Sequence, residues 1–158
     1  MDIYDFNPEL EAAKKRSFRI LERMPRTVKQ MREKLQKDQK YSNEIIELVI
    51  EYLKEYHYLD DMQFSIDYIN SRKNNKGLKV LLFELKNKGV CEDVLEEVKE
   101  EFSDMETDAV IRRLISKKGI DPNTEDRKQR EKLYRFLLSR GFSYSDISNV
   151  ISDLKEEY

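Results

Sequence analysis

The residues that first suggest catalysis or metal binding are the single histidine and cysteine of the chain, His57 and Cys91, and the adjacent carboxylates of Asp60 and Asp61. Paired carboxylates can act as general acid and base, but neighbouring helical positions point about 100° apart and do not face each other. Helix capping is a sufficient role for both aspartates. One histidine and one cysteine cannot supply the roughly four ligands of a structural zinc site, or the roughly three of a catalytic one. We therefore expect structural or solvent-exposed roles for His57 and Cys91.

Motifs for nucleotide chemistry are missing from the sequence. It contains neither a Walker-type loop nor GxGxxG. The single cysteine excludes an intramolecular disulfide and fits a reducing compartment. No apolar run approaches the roughly 20 residues of a membrane span, and the acidic start MDIYDFNPEL lacks the apolar stretch of a signal peptide. These features predict a cytoplasmic protein that is not an enzyme and has no catalytic residue, metal or cofactor.

Charge is strongly segregated along the chain, although the net charge is only −2. Residues 14–40 contain 11 Lys and Arg against 3 Asp and Glu, whereas residues 44–67 contain 1 against 7. Residues 72–88 are again basic, with 6 Lys and Arg against 1 Asp or Glu, and residues 92–108 are acidic, with 1 Lys against 9 Asp and Glu. Residues 112–140 are basic, with 10 Lys and Arg against 4 Asp and Glu. The sign therefore alternates with a period of about 50 residues, which indicates a repeat.

The apolar residues confirm this period within the sequence itself. Residues 31–53, 81–102 and 133–154 align with one inserted residue in the first copy, and the second and third copies match without a gap at an offset of 52. Corresponding apolar positions have helical spacing. They are Met31/Leu81/Leu133, Leu35/Leu85/Leu137, Tyr41/Val90/Phe142, Ile46/Leu95/Ile147, Val49/Val98/Val150 and Leu53/Phe102/Leu154.

Each copy contains a helix-ending turn followed by a new helix. Gly89 and Gly141 stand where a left-handed residue would end the first helix, and Ser42 and Ser143 are suited to cap the second. The first copy departs from this pattern, because its turn has the residues DQK (38–40) instead of a glycine.

A further helix precedes each copy. Asn7-Pro8 predicts the start of a helix over 8–24. The capping pair Asp60 and Gln63 predicts a helix over 61–74, and the pair Ser103 and Glu106 predicts a helix over 104–118 that ends at Gly119. Thr27 and Gln30 form another predicted capping box. With only 4 Gly and 3 Pro, the chain favours helices over turn-rich sheets. The expected fold is all-α, with three tandem three-helix repeats at 8–59, 60–103 and 104–158.

Several of these segments resemble a known family. The run YHYLDDMQFSIDYINSR (56–72) looks like the signature of the RecX family, as do KGLKVLLFELKNKGV (76–90) and RFLLSRGFSYSDISNVI (135–151). The resemblance covers about residues 12–155. It implies helix-turn-helix-like units in an elongated, curved array. It also implies binding to the RecA–DNA filament, with inhibition of ATP hydrolysis, strand exchange and filament growth.

The charge pattern suggests which residues would contact such a filament. The first two helices of each repeat are basic and the third is acidic. If the repeats stack in the same orientation, their basic helices form one stripe of cations that attracts phosphates or acidic protein. We expect a monomer with weak contact to single-stranded DNA and no membrane association. The candidate binding residues are Arg72, Lys73, Lys76, Lys79, Arg112, Arg113, Arg135 and Arg140.

Two other functions remain open at this point. The basic segments would also suit an autonomous DNA-binding protein, although the acidic helices and the pI of about 5.7 argue against tight binding to bare DNA. A scaffold of stacked helices is the third possibility. The same cations have a simpler explanation as solvated helix faces.

Overall fold

The computed structural model describes residues 6–157, which form nine α-helices and no strand. This confirms the all-α prediction. Within these residues no helix is long and apolar enough to cross a bilayer. The helices are α1 (Pro8–Arg23), α2 (Val28–Lys37), α3 (Asn43–Glu55), α4 (Asp61–Arg72), α5 (Leu78–Asn87), α6 (Glu92–Glu101), α7 (Thr107–Lys118), α8 (Arg127–Ser139) and α9 (Tyr144–Glu156).

Side-chain caps fix where most of the helices begin. The Asn7 carboxamide accepts hydrogen bonds from two backbone N–H groups of α1, and Thr27 and Gln30 form a reciprocal capping box at the start of α2. Ser42 and Ser143 cap α3 and α9. Each cap satisfies a backbone donor that has no partner inside its own helix. The predicted caps at these positions are therefore confirmed.

The predicted start of α7 is wrong. The Ser103–Glu106 box does not form, and α7 begins at Thr107, with Glu106 in the capping position but without a side-chain capping bond. The Ser103 hydroxyl instead donates to the Glu100 carbonyl, 2.8 Å away, and so completes the end of α6. The end of α7 is as predicted, because Gly119 takes a left-handed conformation with φ of 75°.

The turns between helices also follow the sequence pattern. Gly89 and Gly141 have φ of 98° and 92°, in the region that side chains other than glycine rarely adopt. In the first copy Gln39 takes this role, with φ of 55°. The turn geometry is thus repeated even where the glycine is not.

The chain folds into two compact units whose limits differ from those of the repeats. The N-terminal unit comprises residues 6–66 with Leu85–Leu95, and the C-terminal unit comprises Asp67–Glu84 with residues 96–157. The second three-helix segment thus contributes to both units, and the repeat limits near 60 and 104 stay a prediction. The core of the N-terminal unit includes Met31, Leu35, Ile46, Val49 and Leu53. That of the C-terminal unit includes Ile111, Leu133, Leu137, Ile147 and Val150.

In the N-terminal unit, two hydrogen bonds connect the start of α2 to residues about 30 and 60 positions later in the sequence. The Thr27 hydroxyl donates to the Lys88 carbonyl over 2.6 Å, and the Val28 N–H donates to the Asp61 carboxylate over 3.0 Å. Asp60 caps its own helix, as predicted, by accepting from the Gln63 N–H. Asp61 instead caps α2. Burial raises the pKa of Asp61, and the Val28 N–H partly opposes that rise.

A similar junction occurs inside the C-terminal unit. The Gly77 N–H, just before α5, donates to the Arg140 carbonyl at the end of α8 over 2.6 Å. A Cβ on Gly141 would lie 2.5 Å from Cγ2 of Val80, and one on Gly89 would lie 2.5 Å from Cβ of Lys29 in the N-terminal unit. In both units, then, a glycine turn at one helix end lets the N-terminus of another helix approach closely. This contact brings the positive end of one helix dipole to the negative end of another.

The junction can be tested with a pair of glycine substitutions. Gly119→Ala introduces only backbone strain, because no atom lies within 4 Å of its Cβ position, and it should cost about 1–2 kcal/mol. Gly141→Ala also places a side chain at positive φ, 92° instead of 75°, and in addition pushes against Val80. We expect it to lower the free energy of unfolding by at least about 1 kcal/mol more, the order of an overpacking cost. Urea denaturation followed by circular dichroism measures both, and equal losses would contradict the close-approach interpretation.

Candidate nucleic-acid interface

All eight predicted binding residues lie in the C-terminal unit. Arg72 ends α4, Lys73 and Lys76 lie in the following loop, and Lys79 is in the first turn of α5. The other four are Arg112 and Arg113 of α7, Arg135 of α8, and Arg140 immediately after α8. The unit therefore presents these cations from four helical segments. Their alignment with the basic helices of the first repeat stays a prediction.

Two of these cations are held by carboxylates of the same unit. Lys76 forms an ion pair with Glu84, and the Arg112 guanidinium donates to the Glu157 carboxylate over 3.0 Å. Their charge is already offset, so a phosphate would have to compete with an internal anion. These two residues are thus weaker candidates for binding than sequence alone indicates.

Glu84 is the centre of a small polar network. Besides Lys76, it accepts a hydrogen bond from the Tyr68 hydroxyl over 2.6 Å, and the Arg72 guanidinium lies 3.8 Å from the Tyr68 ring centroid. Burial raises the pKa of Glu84, but the hydrogen bonds from Lys76 and Tyr68 outweigh it, so the pKa is lowered. Burial and the adjacent carboxylate raise the pKa of Tyr68 to about 12. The network joins α4 to α5 and orients Arg72.

One groove brings together two predicted residues from separate segments of the chain. Lys73 and Arg113 both line a depression of about 420 Å³, whose wall also includes Asp104, Glu106 and Met105. The wall has carboxylates as well as cations, so the groove is not a simple anion site. Its mixed charge is better suited to a protein surface than to bare phosphate.

An aromatic ring organises a second basic cluster. The Lys118 ammonium and the Arg140 guanidinium lie 4.7 Å and 5.2 Å from the Phe136 ring centroid. Such contacts hold cations near a ring with an attraction of about 0.5–1 kcal/mol at exposed sites. Sequence reasoning missed Lys118, because only the folded chain reveals that it shares a ring with Arg140.

Six of the eight predicted cations form no ion pair among the described residues, and Arg72 and Lys73 are two of them. Lys79, Arg113 and Arg135 are exposed, and none forms an ion pair with another residue in the 6–157 range. Lys118 and Arg140 likewise lack an ion pair within that range. An external anion could reach these five residues, and Lys73, without displacing a paired carboxylate of the described chain.

The four residues considered for catalysis or metal binding lie in the N-terminal unit. His57 and Cys91 line one open groove of about 530 Å³ together with Asp60, Asp61 and Lys54. Although the two residues are far apart in the sequence, the turn after α5 brings Cys91 near the end of α3. Among the described residues, no three His, Cys, Asp or Glu side chains are placed to hold a metal ion.

Comparison with known proteins gives consistent matches. A family model described as "RecX, first three-helix domain" matches residues 13–53, and one described as "RecX, third three-helix domain" matches 106–151. "Regulatory protein RecX" of Clostridium botulinum (strain Eklund 17B) is 33% identical over 141 residues, covering 87% of this chain and 66% of the relative. Its namesake in Clostridium acetobutylicum is 30% identical over 150 residues, covering 92% and 70%. The chain thus spans about two thirds of the length of these relatives.

Solved structures share the fold. The crystal structure of RecX from Lactobacillus salivarius has a TM-score of 0.74 at 22% identity, over 93% of this chain and 97% of that one. A second crystal structure, of a regulatory protein RecX, has a TM-score of 0.76 at 20% identity, over 95% and 81%. The tandem three-helix architecture predicted from the sequence is confirmed by these similarities.

The Glu84 network predicts a specific dependence of stability on pH. Because the folded-state pKa of Glu84 is lowered, its contribution to stability is present at neutral pH and is lost as the pH falls below the ordinary value of 4.5. Glu84→Gln should cost about 1 kcal/mol at pH 7 and progressively less toward pH 3. Urea denaturation at several pH values measures this, with Glu97→Gln, an exposed residue of α6, as the control. A cost that does not change with pH would rule out the ionic role of Glu84.

Proposed function

The chain belongs to the RecX family of regulatory proteins, and we propose that it regulates the RecA recombinase by binding to the RecA–DNA filament. Bound there, it inhibits ATP hydrolysis, strand exchange and filament growth. Four of the predicted binding residues, together with Lys118, support this proposal most directly, because they lie in one compact unit, are exposed or half-buried, and form no ion pair among the described residues. They are Lys79, Arg113, Lys118, Arg135 and Arg140.

The cations are suited to a target that combines phosphate and protein. Arg113 lies beside acidic residues in its groove, whereas Arg140 and Lys118 flank an aromatic ring without a carboxylate partner in the described residues. Guanidinium groups bind phosphates and carboxylates bidentately, so both surfaces of a nucleoprotein filament are possible ligands. Long-range attraction of this kind raises the association rate and weakens with salt.

Autonomous DNA binding is the alternative function. The net charge of −2 opposes it, because the acidic helices repel a polyanion while the cationic segments attract it. The two functions differ in what they predict for labelled single-stranded DNA with and without a RecA coat. A regulator of the filament binds the coated strand much more tightly than the bare strand, as measured by fluorescence anisotropy or cosedimentation. Equal affinities would favour the alternative.

Charge reversal should locate the contact surface. Arg113→Glu with Arg135→Glu is expected to weaken binding to the coated strand by about tenfold or more, equivalent to ~1.4 kcal/mol. The dependence of log Kd on log salt should become shallower by about 0.7 for each phosphate that the variant no longer binds. Both arginines are exposed, so the melting temperature should change little.

The matched control is Lys54→Glu with Lys99→Glu. It changes the net charge by the same amount, on exposed residues of the acidic helices α3 and α6. Because Lys54 also forms an ion pair with Glu51, the melting temperature of this variant is measured to show that it is folded. Binding should be reduced much less in this control. If both double variants weaken binding equally, only the overall charge of the chain matters, and the proposed surface is wrong.

A further inference from the structure

A pocket between α8 and α9 combines aromatic rings with positive charge. It measures about 430 Å³ and is lined by Tyr134, Tyr144, Arg130, Lys155 and Glu131, among other residues. Small-molecule sites have volumes of about 300–1,000 Å³, so this pocket is of a size to take one nucleotide. None of these residues was singled out by the sequence pattern.

The two tyrosines form a prearranged aromatic surface. Their ring centroids are 5.1 Å apart, with the ring planes inclined by 33°. Tyr134 packs against the core of the C-terminal unit, and its hydroxyl lies 3.2 Å from the Ser148 hydroxyl, so its ring is fixed. Tyr144 rests on this ring yet remains 65% exposed. A large, supported and accessible ring is what a planar ligand needs for stacking.

The charges around the rings favour an anionic ligand. Arg130 and Lys155 are exposed and form no ion pair with any residue that the structure describes, whereas Arg127 is paired with Glu131 over 2.9 Å. The wall of the pocket therefore has two uncompensated cations beside the exposed Tyr144. A planar group linked to a phosphate matches both features. A phosphorylated peptide would satisfy the cations but leave the tyrosine surface without a stacking partner.

We propose that this pocket binds a nucleotide of single-stranded nucleic acid, with its base stacked on Tyr144 and its phosphates contacted by Arg130 and Lys155. Stacking of this kind depends little on base identity, since every base has an aromatic face. The site goes beyond the proposed function, because it is a direct contact with nucleic acid that needs no recombinase. It would supply part of whatever affinity the chain has for a bare strand.

The absence of tryptophan from the sequence makes a direct test possible. In Tyr144→Trp the new indole is the only tryptophan, and a base stacked on it quenches its fluorescence. We expect quenching by an oligothymidylate of twelve nucleotides and little quenching by an abasic oligonucleotide of the same length. The two ligands have the same phosphates, so the difference isolates the base. Equal quenching by both would show that charge alone holds the strand, and no quenching by either would show that no nucleotide enters. Both results would overturn the proposal.

A second set of variants tests the contribution of the Tyr144 ring itself to binding. Tyr144→Ala should weaken binding to labelled oligothymidylate by about fivefold to a hundredfold, whereas Tyr144→Phe, which keeps the ring, should bind like the original chain. Tyr56→Ala serves as a control, because Tyr56 is similarly exposed but lies in the N-terminal unit. Thermal melting by circular dichroism checks that each variant is folded. Unchanged affinity in a folded Tyr144→Ala variant would refute the stacking role. All of these measurements omit RecA, so they can fail without affecting the proposed filament binding.

Discussion

The close approach of helix ends at glycine turns is the constraint on which the rest of the structure depends. In both compact units, the start of one helix meets the end of another at a turn where a side chain would not fit. At each of these two helix starts a backbone N–H has an internal acceptor. The Gly77 N–H donates to the Arg140 carbonyl at the glycine turn, and the Val28 N–H donates to the Asp61 carboxylate. These helix N-termini, which elsewhere often bind phosphates, are therefore occupied internally. At these two helix starts, recognition of an anion is left to side chains.

When side chains have to bind the anion, it matters whether each lysine or arginine is already paired with a carboxylate. A lysine or arginine already held by a carboxylate gains little from a phosphate, because one charged partner merely replaces another. Lys76 and Arg112 are in this position, whereas Arg113, Arg135 and Arg140 have no such partner among the described residues. The proposed contact surface consequently depends on how the acidic residues are distributed as much as on the number of basic ones. A net charge near zero is compatible with strong local attraction.

Much of the fold could be predicted because its signals are local. The caps at Asn7, Thr27 and Ser143 and the glycine turns depend on residues a few positions apart, and they are confirmed. What sequence could not show depends on distant contacts. Asp61 caps α2 from 33 residues away, and Lys118 shares a ring with Arg140. The prediction for the start of α7 was wrong for a local reason, because the Ser103 hydroxyl donates to the Glu100 carbonyl of the preceding helix instead of capping the following one.

Filament regulation is the central claim, and ATP hydrolysis by RecA on single-stranded DNA tests it most directly. The rate is measured while the chain is added in graded amounts, from far below one molecule per RecA protomer up to equimolar. A regulator bound along the filament slows hydrolysis when it is present at well below one molecule per RecA protomer. The effect weakens as salt screens the cations. An unchanged rate at equimolar chain in low salt would contradict the account.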